Sequence, residues 1–254
     1  MLEQITPIIA TYNEAPNIER VLKALTWATE VLVIDSYSDD ETLKICASFD
    51  NVRLIQNEYT GPTDQSNFGL AQDIKTDWVL SMDSDYVVTG QLRDEIARLS
   101  PTSEVRGFEI SFEYLINGQA LKGSLYPPRT CLYRHKSAHY QRDGHTQRVV
   151  IDGLVLALKN KMQHDDRKPC SRWLLSQRRY ASQEAEKLAG ADWRSLSWPD
   201  RFRYWGIAPL AIIPYTLIVK GLVVNGYPGL QYTWQRVVAE VYLQLARVKL
   251  KLHK

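Results

Sequence analysis

Two aspartates separated by one residue, Asp83 and Asp85, are the sharpest chemical feature of this sequence. They follow an apolar run at residues 77–82 that is typical of a buried strand. Side chains two positions apart in an extended segment point to the same side, so both carboxylates can face one ligand. Carboxylate oxygens suit Mg²⁺ or Mn²⁺, ions that also bind phosphate groups. The pair therefore predicts a divalent-metal site for a diphosphate-bearing molecule.

Polar residues also follow two earlier apolar runs, at residues 5–10 and 31–35. The first run leads into Thr11, Tyr12, Asn13 and Glu14, and the second ends in Asp35. In open α/β sheets, ligands bind beyond the carboxyl ends of the strands. We therefore expect these side chains to share one site with the two aspartates.

The elements that must position these residues alternate along the first hundred residues. Short apolar runs predict strands at residues 5–10, 31–35, 51–56 and 77–82, and amphipathic stretches predict helices at 16–27, 40–49 and 66–74. Continuous apolar character indicates strands that are covered on both faces. The alternation predicts a doubly wound parallel sheet.

The pattern changes after residue 100. Residues 105–158 follow a period of two, with Asn117-Gly118 and Asp152-Gly153 as predicted hairpin turns. This section is expected to be antiparallel or mixed. A charged helix is predicted at residues 170–188.

The last sixty residues differ again. Residues 206–219 are apolar, but they contain Pro209 and Pro214 and fall short of the ~20 residues that a spanning helix needs. Further on, apolar residues recur at helical spacing on one face; they are Trp234, Val238, Val241, Leu245, Val248 and Leu252. Basic residues accompany them, which favours a helix that docks on a membrane surface.

Charge is distributed unevenly. Residues 1–100 hold 7 Lys/Arg against 17 Asp/Glu, whereas residues 198–254 hold 8 against 2. The acidic first part argues against a nucleic-acid partner, because phosphate backbones are bound by clustered basic residues. The three cysteines are far apart and show no metal-ligand spacing, which favours a reducing compartment such as the cytosol.

Three motifs, in this order and spacing, resemble those of family 2 glycosyltransferases with the GT-A fold. They are Thr11-Tyr12-Asn13-Glu14-Ala15-Pro16-Asn17-Ile18, Val33-Ile34-Asp35-Ser36-Tyr37-Ser38-Asp39-Asp40-Glu41-Thr42 and Trp78-Val79-Leu80-Ser81-Met82-Asp83-Ser84-Asp85. The sequence is most similar to the lipopolysaccharide-core glucosyltransferase-like branch. Weaker likeness extends to His164, so the resemblance covers about two thirds of the chain.

The resemblance implies a role for each matching residue. Thr11, Tyr12, Asn13 and Glu14 would border the base and ribose of a nucleotide, and Asp35 would bond to the base. Gln65 and Asn67 would contact the nucleotide. Asp83 would lie near the ribose and metal, and Asp85 would ligate Mg²⁺ or Mn²⁺ at the donor diphosphate. His164 is either a further metal ligand or a structural residue.

The resemblance does not identify the catalytic base, the residue that would remove a proton from the acceptor hydroxyl. Related enzymes carry an acidic residue after a histidine here, but this chain reads Arg142-Asp143-Gly144-His145-Thr146-Gln147. Asp143 is the nearest carboxylate and the predicted base, with His145 as an alternative. Asp165 and Asp166 are rivals, although they would also serve as caps of the following helix.

These observations predict a GT-A domain at residues 1–195 and a helical membrane-docking segment at 196–254. The predicted function is inverting transfer of a sugar from a UDP- or GDP-linked donor to a hydroxyl of a lipid-linked or cell-surface glycan. The expected location is the cytoplasmic face of the inner membrane, in a peripheral or monotopic arrangement. Transfer to polyprenyl phosphate, or a non-catalytic role as a nucleotide-sugar-binding scaffold, are the alternatives.

Overall fold

The computed structural model describes residues 1–143 and 146–252, with the backbone alone for Asp143 and Thr146. Its contacts divide the chain into two compact units. The first comprises Met1–Leu115 and Tyr126–Arg167, and the second comprises Ile116–Leu125 and Lys168–Lys254. The helix that follows residue 168 therefore groups with the carboxyl-terminal part, whereas the sequence prediction placed residues 1–195 together.

Thirteen strands are present in the described residues. In chain order they are β1 Ile5–Thr11, β2 Val31–Asp35, β3 Val52–Gln56, β4 Trp78–Asp83, β5 Tyr86–Val87, β6 Val105–Ile110, β7 Phe112–Ile116, β8 Gln119–Ala120, β9 Arg129–Arg134, β10 Ala138–Asp143, β11 Thr146–Ile151, β12 Leu154–Ala157 and β13 Met162–His164.

Eight α-helices accompany the strands in the same described residues. They are α1 Ala15–Lys23, α2 Thr42–Cys46, α3 Pro62–Leu70, α4 Gly90–Arg98, α5 Cys170–Ala189, α6 Trp198–Trp205, α7 Ala208–Pro214 and α8 Tyr227–Leu252. Short 3₁₀ turns occur at Leu2–Gln4, His135–Ser137 and Leu222–Asn225, and a π-helical turn occurs at Tyr215–Val219.

A seven-stranded mixed sheet forms the centre of the first unit, in the order β12-β6-β9-β4-β1-β2-β3. Strands β4, β1, β2 and β3 run parallel, and β9 runs antiparallel to both β4 and β6. Strands β10 and β11 form a separate antiparallel pair. The predicted doubly wound, mixed α/β architecture is confirmed.

Both faces of β1, β2 and β4 are largely buried, as their continuous apolar character predicts, whereas the edge strand β3 is partly exposed. Ile5 and Ile9 of β1 belong to one core cluster, and Ile8 of the same strand belongs to another, because alternate side chains point to opposite faces. Helix α1 packs on the first face through residues at helical spacing, which are Ile18, Val21 and Leu22.

The predicted turns have different outcomes. Asn117 and Gly118 have φ angles of 52° and 77° and join β7 to β8, so this hairpin turn is confirmed. The prediction of a hairpin at Asp152-Gly153 is wrong. Strand β12 pairs with β6 in parallel, whereas β11 pairs with β10. The large sheet offers β12 an edge to extend, and that pairing replaces the local one.

A buried polar network ties α1 to the segment after β13. Asp165 accepts hydrogen bonds from Arg20 at 2.8 Å and from Arg167 at 3.0 Å. Asn17 is fully buried, and its amide nitrogen donates to Glu14 at 2.8 Å and to Asp166 at 3.0 Å. The network holds the loop after β1 and the loop after β13 in fixed positions.

The second unit is helical. One face of α8, including Leu243, packs with Ala181, Ala185 and Leu188 of α5. None of the helices in the described residues is long and apolar enough to cross a membrane. The predicted apolar stripe of α8 lies elsewhere on the helix, and its residues Leu245, Val248 and Leu252 are exposed.

We expect Asp165→Asn to destabilise the first unit. Asp165 is 3 % exposed, so the substitution removes a buried negative charge and leaves Arg20 and Arg167 without the carboxylate that pairs with both. Because both arginines reach solvent in part, the expected cost is about 2 kcal/mol. This corresponds to a Tm lower by about 4–8 °C in thermal denaturation.

Asp73→Asn is the matched control for this substitution. Asp73 pairs with Lys75, but both side chains are more than 70 % exposed. Its loss should change the free energy of unfolding by less than about 0.5 kcal/mol. Equal Tm values for the two variants would contradict the stabilising role of the network.

Candidate active site

The register of the parallel strands gathers the predicted residues at one edge of the sheet. Thr11 of β1 lies opposite Asp35 of β2, and Ala10 lies opposite Asp83 of β4. The carboxyl ends of β1, β2 and β4 are therefore neighbours, as the alternation of strands and helices predicts.

Asp35 is fully buried and engaged by its own loop. Its carboxylate accepts hydrogen bonds from the Ser38 backbone at 2.8 Å, the Ser38 hydroxyl at 2.5 Å and the Gln56 amide at 3.2 Å. These bonds hold the loop after β2. In this structure Asp35 therefore shapes the loop after β2, and a direct bond to a base remains a prediction.

Asn13 fastens the loop after β1 to the loop after β2. Its backbone nitrogen donates to the Ser38 hydroxyl at 2.7 Å, and its side chain exchanges two hydrogen bonds with Asp39 at 2.6 and 2.8 Å. The neighbouring Tyr12 and Tyr37 have exposed rings. Exposed aromatic rings on fixed loops can stack against a planar base.

Glu14 and Thr11 are buried in the same region. The Glu14 carboxylate accepts from Asn17, and the Glu14 backbone nitrogen donates to the Thr42 hydroxyl at 2.7 Å. The Thr11 side chain is also buried. Glu14 therefore supports the loops, and the contact of Thr11 and Glu14 with a nucleotide remains a prediction.

Gln65 and Asn67 position neighbouring segments. The Gln65 amide donates to Ser36 at 3.0 Å and accepts from Asn57 at 2.8 Å. Asn67 exchanges hydrogen bonds of 3.0 and 2.8 Å with the backbone of Tyr140 and so fastens β10 to α3. Their predicted contact with a nucleotide remains a prediction.

The two aspartates of the Asp-x-Asp pair have different surroundings. Asp83 is half exposed, and its carboxylate lies 3.6 Å from the Arg129 guanidinium. Asp85 is buried, and its Oδ2 atom lies 3.8 Å from Nε2 of His164. Antiparallel pairing of β13 with β5 sets His164 opposite Tyr86, the residue after Asp85.

The His164 ring is held by aromatic neighbours. It stacks on Tyr114 at a centroid distance of 4.5 Å, and Tyr126 lies 4.6 Å away. A backbone bond from Asp165 to Asp85, at 3.0 Å, fixes the two segments against each other. Asp85 and His164 therefore form a prearranged pair of metal-ligating groups.

The pair fits a divalent ion. No group of three or more His, Cys, Asp or Glu side chains within residues 1–143 and 146–252 could hold a metal by itself. Mg²⁺ is commonly bound by one or two protein carboxylates and completed by substrate phosphates and water. Mn²⁺ accepts imidazole as well as oxygen ligands. Asp85 and His164 suit an ion that is completed by a substrate.

A cleft of about 300 Å³ opens beside Asp83. Residues that line it come from β4, β6, β9 and the β10–β11 pair; among them are Asp83, Glu109, Arg129, Tyr140 and Gln147. Glu109 was missed by the sequence analysis. Its sign in the sequence is an acidic residue between Phe108 and Ile110, two apolar residues of β6.

Arg129 places a fixed positive charge in this cleft. It donates to the Tyr86 hydroxyl at 3.2 Å and lies 5.4 Å from the centre of the Tyr126 ring. Burial raises the pKa of Tyr86 and of Tyr126, and Asp83 adds to the effect, so both phenols stay neutral. Burial alone lowers the pKa of Arg129, but Tyr86 and Asp83 outweigh it and raise this pKa.

The candidates for the base differ in what the structure says of them. His145 lies outside the described residues, and Asp143 is described by its backbone alone, at the end of β10 opposite Thr146. Asp165 is buried and forms ion pairs of 2.8 Å with both Arg20 and Arg167, so its carboxylate is engaged by the loop network. Asp166 accepts from Asn17 within the same network.

Comparisons with known proteins show similarity in sequence and in fold. Residues 6–99 match the family model described as "Glycosyl transferase family 2". An uncharacterized glycosyltransferase of Rickettsia bellii is 36% identical over 98 residues, which cover 38% of this chain and 32% of the relative. Glycosyltransferase AglE of Haloferax volcanii is 39% identical over 79 residues, covering 27% of this chain and 26% of the relative.

The chain spans between about a quarter and a half of the length of these and the other curated relatives it matches. Among solved structures, residues 1–349 of S. aureus TarS, in complex with UDP-GlcNAc, are similar with a TM-score of 0.50 at 15% identity. That similarity covers 99% of this chain and 92% of the other, and at this identity it shows a shared fold. The sequence of residues 6–99 is thus similar to glycosyltransferase family 2, and the chain shares a GT-A-like fold.

Proposed function

We propose that this protein is an inverting glycosyltransferase that uses a UDP- or GDP-linked sugar as donor. The acceptor would be a hydroxyl of a lipid-linked or cell-surface glycan, as in the lipopolysaccharide-core glucosyltransferase-like branch. One observation carries the proposal. Asp83, which ends β4 and lines the cleft, lies near Arg129, and Asp85, two residues later, lies near His164; both aspartates are within the part that matches the family model.

Asp85 and His164 would hold Mg²⁺ or Mn²⁺, and the donor diphosphate would complete the coordination. When bound, such an ion stabilises the negative charge of the departing diphosphate. Asp83 lies closer to solvent and would meet the ribose side of the donor. We assign the metal to Asp85 because it is buried beside the His164 imidazole, whereas Asp83 is half exposed and lies beside the Arg129 cation.

Arg129 would supply a second positive charge for the donor. Its guanidinium is held by Tyr86 and Tyr126, and it lies 3.6 Å from Asp83. A guanidinium binds phosphate oxygens in pairs, and a prearranged charge costs little reorganisation during the reaction. Arg129 therefore supports charge development on the leaving group.

The acceptor hydroxyl needs a carboxylate that removes its proton. We propose Asp143, at the end of β10, for this role. Glu109 is the rival, because it lines the cleft together with Asp83. A phosphate acceptor, such as polyprenyl phosphate, attacks without a strong base and would make both carboxylates dispensable.

Metal dependence can be tested with Asp85→Ala and His164→Ala. Each substitution removes one metal-ligating group, and Mn²⁺ affinity in the presence of UDP or GDP should fall by about 100-fold or more. Calorimetry measures that affinity, and sugar transfer from a donor panel measures activity. Wild-type transfer by chelator-treated enzyme would contradict the metal assignment.

Asp94→Ala and His135→Ala are controls for these two variants. Asp94 lies on the exposed side of α4 and pairs with Arg93 alone among the described residues, and His135 lies in a short turn before β10. Both should retain Mn²⁺ affinity and transfer within about twofold of the wild type.

The base can be identified with Asp143→Asn and Glu109→Gln. Each variant keeps the size of the side chain but removes the proton acceptor. We expect Asp143→Asn to lower kcat by about 10²–10⁴-fold with little change in donor affinity. Glu109→Gln and Asp165→Asn should remain active when assayed well below their Tm.

Other outcomes are informative. Loss of transfer in Glu109→Gln alone would move the base to β6, and loss in Asp165→Asn alone would move it to the segment after β13. Activity in all three variants would favour a phosphate acceptor. Donor binding without transfer or donor hydrolysis, across all acceptors, would favour the non-catalytic scaffold.

A further inference from the structure

The second unit contains a long segment with almost no charge. Residues 207–230 are 24 positions in which Lys220 is the single charged residue. The segment does not form one helix. It passes through α7, a π-helical turn, a 3₁₀ turn and the start of α8, with Pro214 ending α7.

Large apolar side chains of this segment face solvent. Leu210, Ile218, Val223, Val224 and Tyr227 each expose between 64 and 75 % of their surface. Soluble proteins rarely leave several such side chains exposed in one short segment. This pattern marks an interaction surface.

The opposite side of the segment is buried and packed against α8, so the exposed side chains cannot turn inward without breaking these contacts. The Thr216 hydroxyl is buried and bonds to the Ile212 carbonyl at 2.8 Å and to the Thr233 hydroxyl at 3.0 Å. Leu222 is fully buried, and its carbonyl oxygen lies so close to Gly229 that a Cβ atom at position 229 would clash with it. Close backbone packing therefore holds the segment against α8.

Polar contacts within the second unit add to this support. Asn225 accepts from the Lys122 backbone at 3.0 Å and donates to the Ala120 carbonyl at 3.2 Å. The Tyr232 hydroxyl accepts from the Leu125 backbone at 2.7 Å. The buried side is thus well packed and hydrogen-bonded, while the apolar side chains listed above remain outside.

The charge of the surrounding residues favours an anionic partner. Residues 201–252 contain seven Lys and Arg residues and one acid, Glu240. The Glu240 side chain is 10 % exposed and forms a 2.9 Å ion pair with Arg203. Residues 201–252 therefore carry no exposed carboxylate that would repel a negatively charged surface.

Aromatic side chains lie just before the apolar segment. Trp198, Phe202 and Trp205 of α6 are exposed, and the Arg201 guanidinium lies 5.0 Å from the centre of the Trp198 ring. Tryptophan and arginine are suited to the boundary between headgroups and acyl chains, since each combines an apolar body with a polar end.

We propose that residues 207–230 dock on an anionic phospholipid bilayer. The exposed apolar side chains enter the boundary of the acyl chains, and Lys220 meets the headgroup phosphates. Such binding combines burial of apolar area with attraction to anionic lipid. The inference goes beyond the proposed transfer reaction and does not depend on it.

The test is sedimentation of the full chain with vesicles of phosphatidylcholine alone or of phosphatidylcholine and phosphatidylglycerol at 3:1. We expect the anionic vesicles to bind at least tenfold more tightly. The double substitution Val223→Asp, Val224→Asp should weaken that binding at least tenfold. Lys220→Gln should weaken it by about fivefold, the effect of one basic residue near an anionic surface.

Leu154→Asp, Leu156→Asp is the matched control, since both leucines are exposed on the edge strand β12 of the first unit. It should change vesicle binding by less than twofold. If Val223→Asp, Val224→Asp lowers the Tm, the double substitution Val223→Ser, Val224→Ser is used in its place.

Three results would overturn the proposal. The first is wild-type protein that does not bind anionic vesicles, and the second is a double variant that binds them as the wild type does. The third is a wild-type protein that binds no vesicles and is a dimer in light scattering, with a monomeric double variant, because a second copy of the chain would then cover the surface.

Discussion

Pairing between two very short strands, β5 and β13, is the contact on which the candidate site depends. It sets His164 opposite Tyr86 and so brings an imidazole to within 3.8 Å of the Asp85 carboxylate. Neither strand would persist alone, because a two- or three-residue strand makes few bonds. The stacking of Tyr114 on His164 and the buried Asn17–Arg20–Asp165 network hold β13 in place. A site for a charged ligand thus rests on a rigid support.

Electrostatics within the first unit follow a consistent pattern. Its carboxylates at the sheet edge are engaged by fixed partners, as with Asp35 and the Ser38 loop, or face a cation, as with Asp83 and Arg129. Burial lowers the pKa of Arg129, but the Tyr86 oxygen, which accepts its hydrogen bond, and the Asp83 carboxylate raise it and so favour the charged form. Acidic groups repel a diphosphate, so the proposed donor would need the Arg129 cation and the proposed metal ion beside them.

The two units use apolar residues in opposite ways. The first buries its branched side chains on both faces of a sheet, and the second leaves leucine, isoleucine and valine exposed while it fixes the backbone beneath them. The basic, apolar surface of the second unit would suit the lipid-linked acceptor proposed above.

The sequence by itself determined the alternating strands and helices of the first hundred residues, and with them the edge at which Thr11, Asp35 and Asp83 meet. These follow from local periodicity and from the rule that parallel strands end together. The tertiary structure alone decided that β12 joins β6, that Asp165 is neutralised by Arg20, and that Glu109 reaches the cleft. Those contacts join residues far apart in the chain, and neither spacing nor propensity carries information about which distant partner offers the better packing and charge.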